Sequence, residues 1–166
     1  MERRRIKIST NSIENIWVCG ELQPGFQETI DNIDVPFAWI TITQPPYRGC
    51  FCANKNMVDG IKMKFHDFDM LGGLGGMKAN KTPFNRAMAI QIVRFLKKIQ
   101  NNDTIKLLVI NCFMGQSRSA AVAKAANEIL GLDKPGDVWY NPIVCKDKET
   151  NPSIEIYRMI MKEYNA

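Results

Sequence analysis

The chain contains no run approaching the roughly 18–20 apolar residues that a membrane-spanning helix requires. Its start, Met1-Glu2-Arg3-Arg4-Arg5 followed by Ile6-Lys7-Ile8, has no apolar stretch long enough for a secretory signal. These absences lead to the expectation of a soluble, cytoplasmic protein. Histidine occurs once, at His66, which excludes a metal site built from several imidazoles. Cysteine is sparse and odd in number: Cys19, Cys50, Cys52, Cys112 and Cys145. A chain of 166 residues needs no covalent staples, so these five read as free thiols. Acidic residues are the minority among the charges, 17 against 22 Lys and Arg. The resulting net charge of +5 favours anionic partners, among them phosphoesters, nucleic acids and acidic membrane surfaces, without choosing between them. No repeat, low-complexity tract or long linker divides the chain, so one domain over residues 1–166 is expected.

Two motifs that suggest a cofactor do not hold up. Cys50 and Cys52 have no second cysteine pair at zinc-ligand spacing, and no metal is expected. The stretch Met70-Leu71-Gly72-Gly73-Leu74-Gly75-Gly76-Met77 lacks the third glycine of the dinucleotide fingerprint, and no Lys-Ser/Thr pair follows it as in an ATP-binding loop. A loop that closes over a site and an ordinary surface loop both fit it. No cofactor of any kind is implied.

Segments rich in β-branched and aromatic residues predict strands at Arg5–Ser9, Asn15–Cys19, Phe37–Thr43, Lys62–Phe65 and Ile105–Asn111. The last is almost wholly apolar, as a strand covered on both faces must be. Helical spacing is clearest from Thr82-Pro83 to about Gln100, where Phe84, Met88, Ile92, Phe95 and Ile99 share a face. A second helix starts at Arg118 or Ser119, runs through small residues and stops at Gly131. A third opens at Asn151-Pro152, with Ile154, Tyr157, Met161 and Tyr164 as its buried stripe, and a weaker signal covers Asn11–Glu14. Strands alternating with helices predict an α/β domain: an open, mostly parallel central sheet of about five strands flanked by helices, with ligands bound beyond the carboxyl ends of the strands.

At such an end lies Asn111-Cys112-Phe113-Met114-Gly115-Gln116-Ser117-Arg118-Ser119, between the apolar strand and the alanine-rich helix. A tight loop between a strand and a helix can turn successive N–H groups inward, and the helix N-terminus adds its positive end, forming an anion cradle. Gly115 supplies backbone freedom. Arg118, at the far rim, has the planar fork that grips two phosphoryl oxygens. The same field favours a nucleophilic thiolate at Cys112. An inert core thiol is the plain alternative, but Cys, Gly, Arg and Ser at this spacing fit one chemistry: attack on the phosphorus of a phosphomonoester held by Phe113, Met114, Gly115, Gln116, Ser117 and Arg118.

The pattern Cys112-x5-Arg118-Ser119 resembles the signature of the cysteine-dependent protein tyrosine and dual-specificity phosphatases, and Cys-x-x-Gly-x-Ser-Arg-Ser is most similar to the compact dual-specificity branch. Phe65-His66-Asp67, the helix after Pro83, the loop and the Asn151-Pro152 helix are similar in order to small bacterial and phage members. The resemblance covers about residues 60–164. It implies a phosphocysteine intermediate on Cys112, phosphoryl binding by Arg118, and stabilisation of the departing thiolate by Ser119. It also implies an aspartate general acid upstream of the nucleophile. Spacing alone does not separate Asp67 from Asp69; the Phe-x-Asp pattern of the small members favours Asp67. The family usually has His before its nucleophile, and this chain has Asn111. The substrate is expected to be a phosphorylated protein. A catalytically weak phosphate-binding domain, or an enzyme acting on RNA 5′ ends or phosphoinositides through the same loop, are the alternatives.

Overall fold

The computed structural model describes residues 12–44, 53–67, 82–132, 139–140 and 151–166. Four strands form one parallel sheet: β1 (Asn15–Gly20), β2 (Phe37–Thr43), β3 (Met57–Lys64) and β4 (Leu107–Cys112), in the order β3-β2-β4-β1. A two-residue segment, β5 (Trp139–Tyr140), pairs in parallel with the outer edge of β1. The chain therefore has an α/β fold with a parallel sheet flanked by helices. Among the described residues no helix is long and apolar enough to cross a membrane.

The central position of β4 follows from its sequence. Leu107-Leu108-Val109-Ile110-Asn111-Cys112 is buried at every residue, because its alternate side chains enter two different cores. Leu108, Ile110 and Cys112 join the larger core, and Leu107 and Val109 the smaller. The larger core lies under three helices: α2 (Arg86–Gln100), α3 (Arg118–Leu130) and α4 (Ile154–Tyr164). The smaller lies under α1 (Phe26–Asp31), which contributes Phe26 and Ile30. α3 is rich in alanine, and Ala120, Ala121, Ala123, Ala125 and Ala126 are all fully buried. Small side chains let this helix sit close behind the strand that feeds it.

Several elements differ from the reading of the sequence. β3 begins at Met57 rather than Lys62, although Asp59 and Gly60 are poor strand formers. At the sheet edge its outward positions, including Lys62 and Lys64, meet solvent, and a bulge opposite Phe37 absorbs one residue. The ladder of β4 runs from Leu107 to Cys112, so the nucleophile candidate is the last residue of the strand. α2 starts three residues beyond Pro83: Asn85 is the cap, its side-chain oxygen accepting the Met88 N–H at 3.0 Å. α4 follows Ser153, not Asn151, and buries Ile156 and Ile160, while Ile154 is exposed and Tyr157, Met161 and Tyr164 pack at the core margin. Residues 12–14 are not helical, and the Ser12 hydroxyl donates to the Ile105 carbonyl at 2.7 Å. A short helix the sequence did not mark, α1, lies over the smaller core and is entered through Gly25 at φ 82°. Trp139 and Tyr140 extend the sheet edge. The predicted strand at Arg5–Ser9 lies outside the described residues.

Candidate active site

Residues 113–117 bend at every position between β4 and α3, so the chain from Cys112 to Arg118 is a closed loop at the carboxyl end of the central strand. Its sulfur sits on the floor. Cys112 is 1 % exposed, yet Sγ is not left to hydrocarbon: it accepts the Gly115 N–H at 3.1 Å and lies 3.1 Å from the Ser119 hydroxyl. With sulfur as a thiolate only the hydroxyl can donate in that second contact. Ser119 is fully buried in the first turn of α3, whose free N–H groups point toward the loop. Around the rim, Phe113, Gln116 and Ser117 are half-buried, and the Met114 side chain is 46 % exposed.

Arg118 is only 5 % exposed. Nη1 donates to the Phe65 carbonyl at 2.9 Å, while Nε is buried with no hydrogen-bond partner. A buried guanidinium N–H without an acceptor is costly, on the order of 1–3 kcal/mol, and an anion in the loop would relieve that cost. The Phe65 bond anchors the fork at one nitrogen and leaves Nε without an acceptor.

The cradle is braced by elements far away in sequence. Gly20, at the end of β1, is paired with Cys112 in register. Glu21 N–H donates to the Cys112 carbonyl at 2.8 Å, and Leu22 N–H to the Phe113 carbonyl at 3.1 Å. Gly115 has φ 72°, and a Cβ there would come within 2.6 Å of the Gly20 nitrogen. Glycine is required at 115 both for the left-handed backbone and for this contact. Burial pushes the Glu21 carboxyl above the usual carboxylate range, an effect partly offset by the positive charge of Lys62. On the other flank, Asn151 N–H donates to the Gln116 carbonyl at 2.8 Å and Ser153 N–H to the Ser117 carbonyl at 3.4 Å.

Asn111 is fully buried, and its side chain projects to the face opposite Cys112. There its Oδ1 accepts the Trp39 indole N–H at 2.7 Å. The amide thus ties the base of the loop to β2. The sequence offers no clue to this partnership, since Trp39 is 72 residues distant. Gly20 was equally unmarked in the sequence; the only available hint is that a glycine ending a buried strand often signals close backbone approach.

Asp67 lies two residues beyond the Phe65 carbonyl that holds Arg118, and it is half-buried. Asp69, the glycine-rich stretch, Cys50, Cys52 and Cys145 lie outside the described residues. Cys19 is buried on the α1 face, whereas Cys112 belongs to the core on the other side of the sheet. His66 is buried, and its Nδ1 accepts the Thr82 N–H at 2.9 Å. The structure therefore brings together Cys112, Gly115, Ser119, Arg118 and the Phe65 carbonyl, with Asp67 two residues further along the chain. Compared with models of protein families, with curated proteins and with solved structures, the chain gives no match.

Proposed function

We propose that the protein is a cysteine-dependent phosphatase that hydrolyses phosphomonoesters, with phosphorylated protein as substrate and the fold of the compact dual-specificity branch. One observation carries this reading. A nearly buried guanidinium is anchored at one nitrogen and unpartnered at another, beside a loop whose sulfur already receives a backbone N–H and stands next to a hydroxyl.

Chemistry at this arrangement takes two displacements. The Cys112 thiolate attacks phosphorus in line; the S–P bond forms, the ester P–O bond breaks, and Asp67 gives its proton to the leaving oxygen. Loop N–H groups and Arg118 hold the equatorial oxygens, whose charge spreads as the bonds change. Water then loses a proton to the Asp67 carboxylate and attacks phosphorus, releasing inorganic phosphate and the thiolate, to which the Ser119 hydroxyl donates. Asn111, engaged with Trp39 on the opposite face, takes no direct part.

The test is rapid-quench hydrolysis of p-nitrophenyl phosphate, with trapping of a phosphorylated Cys112. A product burst and a labelled Cys112 are expected. Cys112→Ser is expected to retain phosphate and vanadate binding while losing turnover. Undiminished hydrolysis by Cys112→Ser would overturn the assignment. Anion binding without any burst in the wild type would instead indicate a phosphate-binding domain.

A further inference from the structure

The chain's single histidine has no part in the displacements, yet it is 2 % exposed and built into a closed pair of hydrogen bonds. His66 N–H donates to the Thr82 carbonyl at 2.7 Å, and Thr82 N–H donates back to His66 Nδ1 at 2.9 Å. With Nδ1 accepting, the ring's proton is on Nε2. The two main-chain segments are clasped at positions 16 residues apart.

The neighbours of His66 show what the clasp serves. Phe65 is fixed independently of it: its N–H donates to the Thr43 carbonyl at 2.9 Å, its carbonyl accepts Arg118 Nη1, and its fully buried ring packs on Phe84 with centroids 4.9 Å apart. Those bonds secure the arginine fork without the histidine. Asp67 lies on the other side, beyond the last of these anchors. From the placement of His66 between an anchored arginine support and the acid, we infer that it is a positioning residue. Its clasp on Thr82 carries the fixed geometry of Phe65 one step further, to the carboxyl of Asp67. This inference rests on the phosphatase reading above and assigns one residue a role within it.

Acid catalysis matters most where the leaving oxygen is a poor leaving group, so the test uses phenyl phosphate and dinitrophenyl phosphate side by side, with vanadate affinity as the measure of the cradle. His66→Leu removes the acceptor. Thr82→Pro removes the donor from the other segment and carries the test if the first variant does not fold. His66→Asn places an amide oxygen near the position of Nδ1. Both disruptive variants, like Asp67→Asn, are expected to lose about a hundredfold on phenyl phosphate and less than about threefold on dinitrophenyl phosphate. Vanadate affinity should stay within about threefold of wild type, since Arg118 keeps its Phe65 support. Combining His66→Leu with Asp67→Asn should add no more than about twofold to the loss, and His66→Asn should recover about tenfold. Equal losses on both esters together with weakened vanadate binding would overturn the inference, leaving His66 a packing residue. Wild-type protein that hydrolyses neither ester would instead overturn the phosphatase reading itself, and this inference with it.

Discussion

Gly20→Ala probes whether the Cys112–Arg118 loop is held in shape by β1, a strand that contributes no residue to it. An alanine Cβ at position 20 would lie 2.5 Å from the Met114 carbonyl oxygen, 2.6 Å from its carbon and 3.0 Å from the Gly115 nitrogen. All three are main-chain atoms, so no rotamer change relieves the overlap. Heavy atoms in contact rest at about 3.5–4.0 Å, and β1 and the loop must part by about 1 Å. β1 resists, because Ile16 to Gly20 are in register with Leu108 to Cys112 and Gly20 N–H donates to Gln23 Oε1 at 3.0 Å. Overpacking of this kind costs about 1–3 kcal/mol, and the rigid partners here put Gly20→Ala near the upper figure. For a chain of this length about 3 kcal/mol lowers the melting midpoint by about 6–12 °C. Displacement of a reacting group by about 1 Å also costs about a hundredfold in rate. The assay pairs thermal melts followed by circular dichroism with aryl phosphate hydrolysis well below the melting range. A variant that melts within about 2 °C of wild type and turns over at the wild-type rate would refute the argument that this contact shapes the loop.

Three further outcomes are expected. Trp39→Phe takes the indole donor from buried Asn111 Oδ1 and should cost about 1–3 kcal/mol in urea unfolding; pairing it with Asn111→Leu should recover part of that loss, because the oxygen deprived of its donor is then removed as well. Arg118→Lys keeps the charge but not the fork, so vanadate is expected to raise the melting temperature of the wild type and not that of the variant. Tyr157 is pushed up to about 12, first by its hydrogen bond to Glu128, then by burial and the Glu128 charge. Its contribution to stability is complete below the usual tyrosine value of about 10 and is lost as pH rises through about 12. Ultraviolet titration of Glu128→Ala should show one tyrosine moving back toward about 10.

Much of the molecule is legible in its residues alone. Leu107 to Ile110 read as a central strand because only a strand covered on both faces is apolar at successive positions. Phe37 to Thr43 read as a strand from their β-branched and aromatic residues, and Gly131 marks the end of α3 because its backbone is left-handed there, at φ 64°. Cys112, Gly115, Arg118 and Ser119 are contiguous, so local geometry suffices to bring them to one hollow, and their spacing is visible in the sequence. What is not local is not visible. Proline misplaced the starts of α2 and α4, since a cap depends on which side chain reaches the first turn, and at α2 that is Asn85. Asp59 and Gly60 hid half of β3, because an edge strand tolerates residues that a central one does not.

The sequence by itself determined the tight Cys112–Arg118 loop between strand and helix, the parallel α/β class and the small-residue helix that follows, because each is encoded by neighbours along the chain. Only the tertiary structure decided that Gly20 abuts the loop, that Trp39 holds Asn111, that Phe65 anchors Arg118 and that Thr82 clasps His66. Those pairs are joined by strand order and by buried hydrogen bonds between distant segments, and such bonds leave no periodicity in the sequence.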